Sequence, residues 1–500
     1  MRAIFRWHQY VRDSSWPYVI LFGVLANVPM WIAGGLDSID VSGWFNLDFL
    51  FVGVLALFLP RAISAGLLLL AMVVDFMAEI SLTYYITPRE ILSNAREIEW
   101  MTARLIAQFL VGGLLCFAIA SCAFLLPRLK RRLATALLLV LFALVCRGVK
   151  EWELHWEVPS GFQLHRTAPQ TVRAAVLRYG WTARSSTRQL ISDERLDALR
   201  LEEESANKGQ AEGPVESAAA VAYRQVLSDS RDPISLPDFV LIVVESWGQS
   251  SDEVIRQSLV EPYEANLGGR FTILQGSIPF HGATISAENR ELCERSGGQD
   301  IMGASAADFR KCLPDELSNM GFHTIAIHGN HGTLYHRNEW YSRAGFQEIW
   351  FVRKLESEGL PDCVGAFTGV CDAAIATWIG KRLEQPGRDP RFVYWVTLNS
   401  HLPVPNPPQL PTLVPCDTDL SLARDLALCN WYRLTLNVHQ SIASLAAHNG
   451  SRPAVYVIVG DHAPPFSDLS VRDSFEQRVV PYVILLPNGT LGQNSAAHAP

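Results

Sequence analysis

The apolar residues of this chain are distributed unevenly along its length. Residues 17–148 are dense in leucine, isoleucine, valine, phenylalanine and alanine, whereas residues 150–500 have the mixed composition of a water-soluble protein. A helix needs about 20 consecutive apolar residues to cross a bilayer. The pattern therefore predicts five membrane spans, at 17–35, 45–60, 63–85, 105–126 and 133–149. The second and the last of them are near the lower length limit for a span.

Positively charged loop residues predict how these spans are oriented. They precede the first span or lie between spans two and three and between spans four and five: Arg2, Arg6, Arg12, Arg61, Arg128, Lys130, Arg131 and Arg132. Five crossings place all of them on one side, which the positive-inside rule makes cytoplasmic. Arginines in the loop 86–104 weaken this asymmetry without reversing it. Residues 150–500 are then expected outside the cytoplasm. A buried helical bundle in a soluble protein is the alternative interpretation of residues 17–148.

From Asp238 onward the pattern changes to short apolar runs that alternate with helical stretches. Such alternation is typical of a largely parallel sheet covered by helices on both faces. Strands are predicted near 238–244, 322–328, 391–398, 453–459 and 480–486, with helices between them, for example at 372–384 and 420–447. Since 500 residues exceed one ordinary domain, we predict three parts: a five-span α-helical membrane domain at 1–149, a juxtamembrane helical connector at 150–235 and an extracytoplasmic α/β domain at 236–500.

Four of the apolar runs end on residues that can bind a metal or a phosphate. The runs lead into Glu245, His328, the segment Asn399-Ser400-His401 and the pair Asp461-His462. In an open α/β sheet the site lies just outside the carboxyl ends of the strands. Each residue has an ordinary alternative role, because a carboxylate at a strand end is often solvated or caps the next helix. Adjacent Asp and His suit Zn²⁺ or Mn²⁺ better than Ca²⁺, so the set predicts an enzyme with a metal at its centre.

The segment 280–288 supplies the candidate nucleophile. Gly282 lies just before Thr284 and allows close backbone approach at a turn. Next to a divalent metal, the Thr284 hydroxyl would become a far better nucleophile because the metal stabilises the alkoxide. Ser286 is the competing nucleophile. Capping of a helix that begins near Ser286 is the alternative role for Thr284.

The polar loop 328–337 is a candidate for substrate binding. Arg337 can grip phosphate oxygens bidentately, and Tyr335 can stack on or hydrogen-bond a substrate group. The loop holds three histidines, so a second metal is the alternative, although substrate binding is favoured. His401 is placed to bind the phosphoryl group or to protonate a leaving alcohol; its alternative role is to cap the loop.

Charge and cysteine usage narrow the class of protein. The net charge of −8 argues against a nucleic-acid partner. Six of the nine cysteines lie in the predicted outer domain, and an even number in an oxidising compartment suggests three disulfides. Fifteen pairings are open in principle; we choose sequence neighbours, which are 293–312, 363–371 and 416–429. A zinc site formed by these cysteines is the alternative, but no two of them have the C-x-x-C spacing that is typical of zinc sites.

The order of these motifs behind five spans resembles the lipoteichoic acid synthase family. Its members are membrane-anchored phosphoglycerol transferases of the alkaline phosphatase/sulfatase superfamily. The resemblance covers the whole chain in architecture and about 238–490 in motifs. It implies an alkaline phosphatase-like fold and one divalent metal, Mn²⁺ or Zn²⁺ with Mg²⁺ as an alternative. The implied metal ligands are Glu245, the nucleophile Thr284, Asp461 and His462.

The resemblance also implies a substrate-binding set. The family pattern His-Gly-Asp followed by Phe-Trp-Asn-Arg is similar to His328-Gly329-Asn330 and Leu334-Tyr335-His336-Arg337. The family's active-site histidine matches His401. Here Asn330 stands for the Asp and Tyr335 for the Trp, so the acceptor and the donor head group stay open.

The activity implied is that of a phosphotransferase in the cytoplasmic (inner) membrane with its catalytic domain on the periplasmic or extracellular side. It would take phosphoglycerol from a phospholipid donor, phosphatidylglycerol, through a phospho-threonine, and pass it to a glycan or lipid acceptor of the cell envelope.

The six outer cysteines are more like those of phosphoethanolamine transferases. These enzymes act on lipid A or a glycan and are the first alternative. A non-catalytic sensor that binds phospholipid or glycan is the second, and a plain phosphatase or phosphodiesterase also stays open. Sulfatases proper are disfavoured, since no C/S-x-P-x-R motif surrounds Thr284. The sequence does not indicate an oligomeric state.

Overall fold

The structure is a computed structural model, and the residues it describes are 14–35, 46–84, 103–126, 132–155, 216–226, 236–280, 282–295, 299–404, 422, 425–448, 450–466 and 469–488. They fall into two compact units, one ending at residue 209 and one beginning at residue 210. We call them the N-terminal unit and the C-terminal unit and describe each by itself. The three-part division proposed from the sequence stays a prediction.

The N-terminal unit is built from helices. They are α1 Trp16–Val19, α2 Val28–Gly35, α3 Leu47–Ala56, α4 Arg61–Tyr84, α5 Ala103–Leu125 and α6 Arg132–His155, with short π and 3₁₀ turns at Ile20–Val24 and Leu25–Asn27. Phe22, Phe49 and Leu68 form part of its apolar interior. Among the helices of the described residues, none combines the length and the apolar character that crossing a membrane requires. The five spans stay a prediction.

A seven-stranded sheet forms the centre of the C-terminal unit, with strand order β3-β11-β9-β1-β8-β4-β5. The β1 strand pairs in parallel with β8 and β9, and β4 pairs in parallel with β8 and β5, whereas β11 is antiparallel to both β9 and β3. The mostly parallel sheet predicted from the sequence is therefore confirmed. The strands of this sheet are β1 Asp238–Val244, β3 Phe271–Pro279, β4 His323–His328, β5 Glu348–Trp350, β8 Arg391–Val396, β9 Ala454–Gly460 and β11 Val479–Pro487.

Two further sheets have two strands each. The β2 strand Gln249–Ser250 pairs with β10 Phe475–Glu476, and β6 Asp362–Val364 pairs with β7 Thr368–Val370. The β6–β7 hairpin is closed by the disulfide Cys363–Cys371. A second disulfide, Cys293–Cys312, joins the end of one helix to the start of another.

Helices cover both faces of the large sheet. On one face, Val393 and Trp395 share an apolar core with the helices Glu253–Leu267, Asp372–Glu384 and Leu426–Ala447. The alternate residues of the same strand, Phe392 and Tyr394, contact Phe346 on the other face, and Tyr394 also contacts Tyr341 of the helix Arg337–Arg343. The helices of this unit are α7 Ala218–Val226, α8 Glu253–Leu267, α9 Thr284–Cys293, α10 Gln299–Gly303, α11 Leu313–Asn319, α12 Arg337–Arg343, α13 Val352–Ser357, α14 Asp372–Glu384, α15 Leu426–Ala447 and α16 Leu469–Arg472.

The buried strands explain why the apolar runs were visible in the sequence. All seven residues of β1 and all seven of β9 are buried, as expected for parallel strands covered on both faces. The β3 strand at the sheet edge has a mixed exposure pattern and contains Gly276 and Pro279, so it gave no continuous apolar signal and was not predicted.

Candidate active site

Four adjacent strands bring the predicted polar residues to one edge of the sheet. In the order β9, β1, β8 and β4, the strands are in parallel register, with Val244 opposite Gly460 and His328 opposite Val396. Glu245 and Asp461 therefore emerge side by side from neighbouring strands. His401 follows β8 after a short turn, in which the His401 backbone N–H donates to the Leu398 carbonyl.

Glu245, Asp461 and His462 form a buried three-residue cluster. Their candidate ligand atoms all lie within 4.8 Å of one another. His462 Nε2 is 3.3 Å from Asp461 Oδ2 and 3.6 Å from Glu245 Oε1. Burial and the nearby charge of Asp461 raise the pKa of Glu245 to about 8. Two carboxylates and one imidazole so close together fit a divalent cation of the Mn²⁺ or Zn²⁺ type, which would offset their mutual repulsion.

Ser246 organises this cluster, although the sequence analysis did not single it out. Its backbone N–H donates to Asp461 Oδ1 at 2.7 Å, and its hydroxyl donates to Glu245 Oε1 at 2.9 Å. Its φ of 55° lies in the left-handed region, which is rare for residues other than glycine. Trp431 Nε1 donates to the Ser246 carbonyl at 2.9 Å and so helps to hold this conformation. Nothing in the sequence signals a positive φ at a serine.

Thr284 is the first residue of α9 and its hydroxyl lies against the two carboxylates. Thr284 Oγ1 is 3.0 Å from Asp461 Oδ2 and 3.4 Å from Glu245 Oε2. The helix is preceded by Ala283 at the N-cap position, so Thr284 is not its cap. Ser286, the competing nucleophile, packs instead against Gly282. Because a helix N-terminus favours negative charge, this position suits a hydroxyl that becomes phosphorylated.

His401 faces the same cluster. Its Nε2 is 3.9 Å from Glu245 Oε1, and its Nδ1 contacts the carbonyl oxygen of Leu402. A carbonyl only accepts, so Nδ1 carries a proton and Nε2 is free to accept one. Burial lowers the pKa of His401, which favours the neutral ring. The ring of Phe367, from the β6–β7 hairpin, lies edge-on to His401 at 4.8 Å.

His328 is buried at the end of β4 with one ring nitrogen unused. Its Nδ1 lies 3.1 Å from the Val396 carbonyl oxygen, whereas its Nε2 has no partner among the described residues. Burial and the charge of Arg337 lower the pKa of His328 well below its usual value. An unpartnered buried nitrogen is costly, so Nε2 is available to a ligand.

Arg337 is the second buried group with an unused donor. Its Nε and Nη2 lie 2.8 and 2.7 Å from Glu288 Oε1, and its Nη1 is buried without a partner among the described residues. Two of the three guanidinium nitrogens are thus engaged. The bidentate grip on phosphate expected from the sequence would require Arg337 to leave Glu288, whereas contact through Nη1 would not.

Tyr335 and Asn330 shape the loop around Arg337. Tyr335 and His336 both have left-handed backbones, with φ of 55° and 53°. The ring centroid of Tyr335 is 5.1 Å from the guanidinium carbon of Arg337. Asn330 is buried, and its side-chain oxygen accepts from the His331 N–H at 2.6 Å. Consecutive strained residues of this kind concentrate at functional sites, so the loop geometry agrees with a binding role.

Asp372 holds the loop that carries His401 and was also missed from the sequence. Its carboxylate accepts from the backbone N–H groups of Leu398 and Asn399, at 3.0 and 2.7 Å. In return the Asn399 side chain accepts from the Asp372 N–H at 2.8 Å. Since Asp372 directly follows Cys371, this contact ties the disulfide-closed hairpin to the His401 loop.

Two of the three predicted disulfides are confirmed. Cys293 pairs with Cys312, and Cys363 pairs with Cys371. Cys429 is also disulfide-bonded, but Cys416 lies outside the described residues, so the third pairing stays a prediction. The first disulfide fixes the end of α9, the helix that begins at Thr284.

Several solved structures are similar to part of this chain. The lipoteichoic acid synthase LtaP from Listeria monocytogenes is 14% identical, with 54% of this chain and 72% of that chain covered at a TM-score of 0.39. The Streptococcus pyogenes phosphoglycerol transferase GacH in complex with sn-glycerol-1-phosphate is 15% identical, with 56% and 78% covered at 0.36. The C-terminal periplasmic domain of EcEptC from Escherichia coli in complex with Zn is 15% identical, with 52% and 75% covered at 0.33.

A protein-family match adds to these likenesses. The Sulfatase family matches residues 270–499, and no curated protein matches the chain. The matched range contains every site residue predicted from the sequence except Glu245, which precedes it. This match agrees with the resemblance to the alkaline phosphatase/sulfatase superfamily that the motifs predicted.

Proposed function

We propose that this protein is a metal-dependent phosphotransferase that moves a phospho-alcohol head group through a phospho-threonine at position 284. The observation that carries the proposal is the placement of Thr284 at a helix N-terminus, with its hydroxyl 3.0 Å from Asp461 and 3.4 Å from Glu245. A hydroxyl that only capped a helix would have no reason to lie against two buried carboxylates.

Glu245, Asp461, His462 and the Thr284 hydroxyl would hold the divalent cation. When bound, the cation would lower the pKa of the Thr284 hydroxyl and stabilise negative charge on the phosphoryl oxygens. The fit rests on the donor set itself, because two buried carboxylates within 4.8 Å of an imidazole form a cluster that is costly without a cation. Mn²⁺ and Zn²⁺ suit this mixture of oxygen and nitrogen donors.

The transfer would proceed in two steps. Thr284 Oγ1 attacks the phosphorus, a new oxygen–phosphorus bond forms, and the bond to the leaving alcohol breaks. An acceptor hydroxyl then attacks the phospho-threonine and restores the free Thr284 hydroxyl. His401, with its neutral Nε2, would take the proton from an attacking hydroxyl and return it to a leaving oxygen.

The phosphoryl oxygens would be bound on the side of the site formed by the end of β4 and the start of α12. Arg337 Nη1 is buried without a partner among the described residues, and a phosphoryl oxygen would accept from it. His328 Nε2 also has no partner there; because Nδ1 faces the Val396 carbonyl, Nε2 would accept from a hydroxyl of the head group. Asn330 and Tyr335 would shape this side of the pocket. Placing preorganised donors where charge develops is a large source of rate enhancement.

The donor we propose is phosphatidylglycerol, with diacylglycerol as the leaving alcohol and a cell-envelope glycan or lipid as the acceptor. The support is the motif order of the lipoteichoic acid synthase family, in which Thr284, His328, Arg337 and His401 have counterparts. A membrane anchor formed by residues 1–149, with the C-terminal unit on the outer side, would place the site near both lipids.

The deciding experiment uses the full chain in vesicles of phosphatidylglycerol with Mn²⁺. Wild-type protein should release diacylglycerol, and Thr284→Ala should abolish the release. The matched control is Ser286→Ala, two residues further along the same helix, which should retain turnover. Continued turnover by Thr284→Ala would overturn the nucleophile assignment.

A phosphoethanolamine transferase acting on lipid A or a glycan is the second candidate. The disulfides Cys293–Cys312 and Cys363–Cys371 favour it, because the outer cysteines are more like those enzymes. Donors with labelled glycerol or labelled ethanolamine head groups, supplied separately, distinguish the two. A non-catalytic sensor is disfavoured, since Glu, Thr, Asp and His are all present and brought together.

A further inference from the structure

Glu288 lies at the centre of a buried polar cluster one helical turn after Thr284. Its Oε1 accepts from Arg337 Nε at 2.8 Å, and its Oε2 accepts from the hydroxyls of Tyr341 at 2.7 Å and Tyr394 at 3.1 Å. Each of the four residues is at most 1% exposed. We call Glu288, Arg337, Tyr341 and Tyr394 the Glu288 cluster. It joins α9, α12 and β8.

The charges of the Glu288 cluster are balanced. Burial alone would lower the pKa of Arg337, but the adjacent Glu288 raises it, so the guanidinium stays charged. Burial raises the pKa of Tyr341 and Tyr394 well above the usual value. Both phenols therefore keep their protons and donate to Glu288. Removing one partner would leave the others buried and uncompensated.

The cluster leaves one corner of the guanidinium free. Glu288 engages Nε and Nη2, whereas Nη1 is buried without a partner among the described residues. The charge of Arg337 contributes to the lowered pKa of both His328 and His401, so the guanidinium is within electrostatic range of the site. Glu288 thereby selects which nitrogen of Arg337 is offered to a ligand.

Thr284 and Glu288 stand on the same rigid element. Four residues of α-helix rise about 6 Å and complete one turn, so their separation is fixed by α9. Arg337 in turn is fixed by Glu288. The helix thus sets the distance between the Thr284 hydroxyl, which would attack the phosphorus, and the Arg337 guanidinium, which would bind the phosphoryl oxygens.

We infer that Glu288 is a positioning residue for the phosphoryl group, which acts by holding Arg337 at a set distance from Thr284 with Nη1 free. This inference rests on the proposed function for its readout by turnover. It assigns Glu288 no contact with the substrate. Its whole contribution should therefore pass through Arg337.

A double-mutant cycle between Glu288→Gln and Arg337→Gln tests this. Diacylglycerol release is measured per Mn²⁺-binding site, so that misfolded protein is not counted. Each single variant should lower kcat/KM at least tenfold. The kcat/KM of the double variant should be no more than threefold below that of the less active single variant. Multiplying effects in the double variant, or a Glu288→Gln variant within twofold of wild type, would overturn the inference.

The matched control is Asp238→Asn. Asp238 is also fully buried and pairs with an arginine, Arg391, at 2.7 Å, but it lies at the opposite end of β1. It should cost stability and yet leave kcat/KM per Mn²⁺ site within twofold. If Glu288→Gln fails to fold, Tyr341→Phe and Tyr394→Phe take its place in the cycle, and their effects should likewise disappear in the Arg337→Gln background.

Inorganic phosphate separates this inference from the proposed reaction. Its dissociation constant, measured by calorimetry, needs no turnover. Glu288→Gln should change that constant at least threefold in the wild-type background and less than twofold in the Arg337→Gln background. Absence of diacylglycerol release from wild type would count against the proposed donor and leave this second cycle readable, whereas equal changes in both backgrounds would refute the role of Glu288.

Discussion

The backbone N–H of Ser246 donates a hydrogen bond of 2.7 Å to Oδ1 of Asp461, a residue 215 positions later in the chain. Through this bond and the one from its hydroxyl to Glu245, a single serine orients both carboxylates of the cluster. Groups that orient metal ligands commonly affect metal affinity by 10- to 100-fold.

Ser246→Ala should weaken Mn²⁺ binding about tenfold, because it removes the hydrogen bond to Glu245 and keeps the one to Asp461. Ser246→Gly should have the same effect on affinity while relieving the left-handed backbone strain of about 1 kcal/mol. Calorimetric titration with Mn²⁺ measures both. Ser286→Ala is the control with unchanged affinity, and a Ser246→Ala affinity within twofold of wild type would contradict the role given to this hydroxyl.

Mn²⁺ affinity should increase with pH up to about 8. The pKa of Glu245 is raised to about 8 by burial and by Asp461, so below that pH a proton must leave before the carboxylate can bind a cation. Titrations at pH 6.5 in two buffers of different ionisation enthalpy should reveal release of about one proton. Affinity that stays constant from pH 6 to pH 8 would argue against Glu245 as a ligand.

The metal-free protein should show the opposite trend in stability. A carboxyl group whose pKa is raised in the folded state binds more protons there than in the unfolded chain, so its stabilising contribution is complete at low pH. That contribution is lost as the pH rises through about 8. Urea denaturation of chelator-treated protein between pH 5 and pH 9 measures the trend, and Glu245→Gln should flatten it.

Loss of the Cys363–Cys371 disulfide should impair the site without affecting metal binding. The β6–β7 hairpin, which this disulfide closes, places Phe367 against His401. The backbone N–H of Val370 in the same hairpin donates a hydrogen bond to the Gly329 carbonyl. Cys363→Ser with Cys371→Ser should lower the free energy of unfolding by about 2–3 kcal/mol and lower kcat/KM. Phe367→Ala should reproduce the kinetic effect with little loss of stability. A double-serine variant with normal kinetics would show that the hairpin is not part of the site.

Asp372→Asn should disturb the His401 loop. The Leu398 N–H lies 3.1 and 3.0 Å from the two carboxylate oxygens, and an amide would put an NH₂ group in place of one of them. The remaining hydrogen bonds would also lose the charge of the acceptor, at a cost of about 1–3 kcal/mol. Denaturation and turnover should both be reduced. Asp389→Asn, at an exposed position, serves as the neutral control, and an Asp372→Asn variant as active and stable as this control would refute the role.

The sequence predicted the parts of the fold that have a local signal, such as a continuous apolar run. The strands β1 and β9 were visible because they are buried on both faces and therefore apolar throughout. Thr284, Asp461 and Glu245 could be proposed because each stands next to a strand end or a Gly-containing turn. The mutual placement of Glu245 and Asp461 follows from the parallel register of β1 and β9, whereas that of Thr284, at the start of α9, does not.

The remaining site residues depend on contacts that no local pattern encodes. Glu288 is 49 positions from Arg337, and a lone glutamate on a helix usually faces solvent. Ser246 adopts a backbone conformation rare for its residue type. The pairings of β2 with β10 and of β6 with β7 involve strands that are too short to show periodicity.

The central position of β1 has a consequence for the biogenesis of this protein. The strand that comes first in the C-terminal unit is flanked by β8 and β9, which follow it by more than 150 residues in the chain. Sheets with such distant pairings fold slowly, because long loops must close before the strands are rewarded with contacts. The cluster of Glu245, Asp461 and His462 cannot form until Asp461 has emerged from the ribosome and β9 has paired with β1. A chain truncated before β9 would therefore lack Asp461 and His462, and the three-residue cluster can assemble only after β9 has paired with β1.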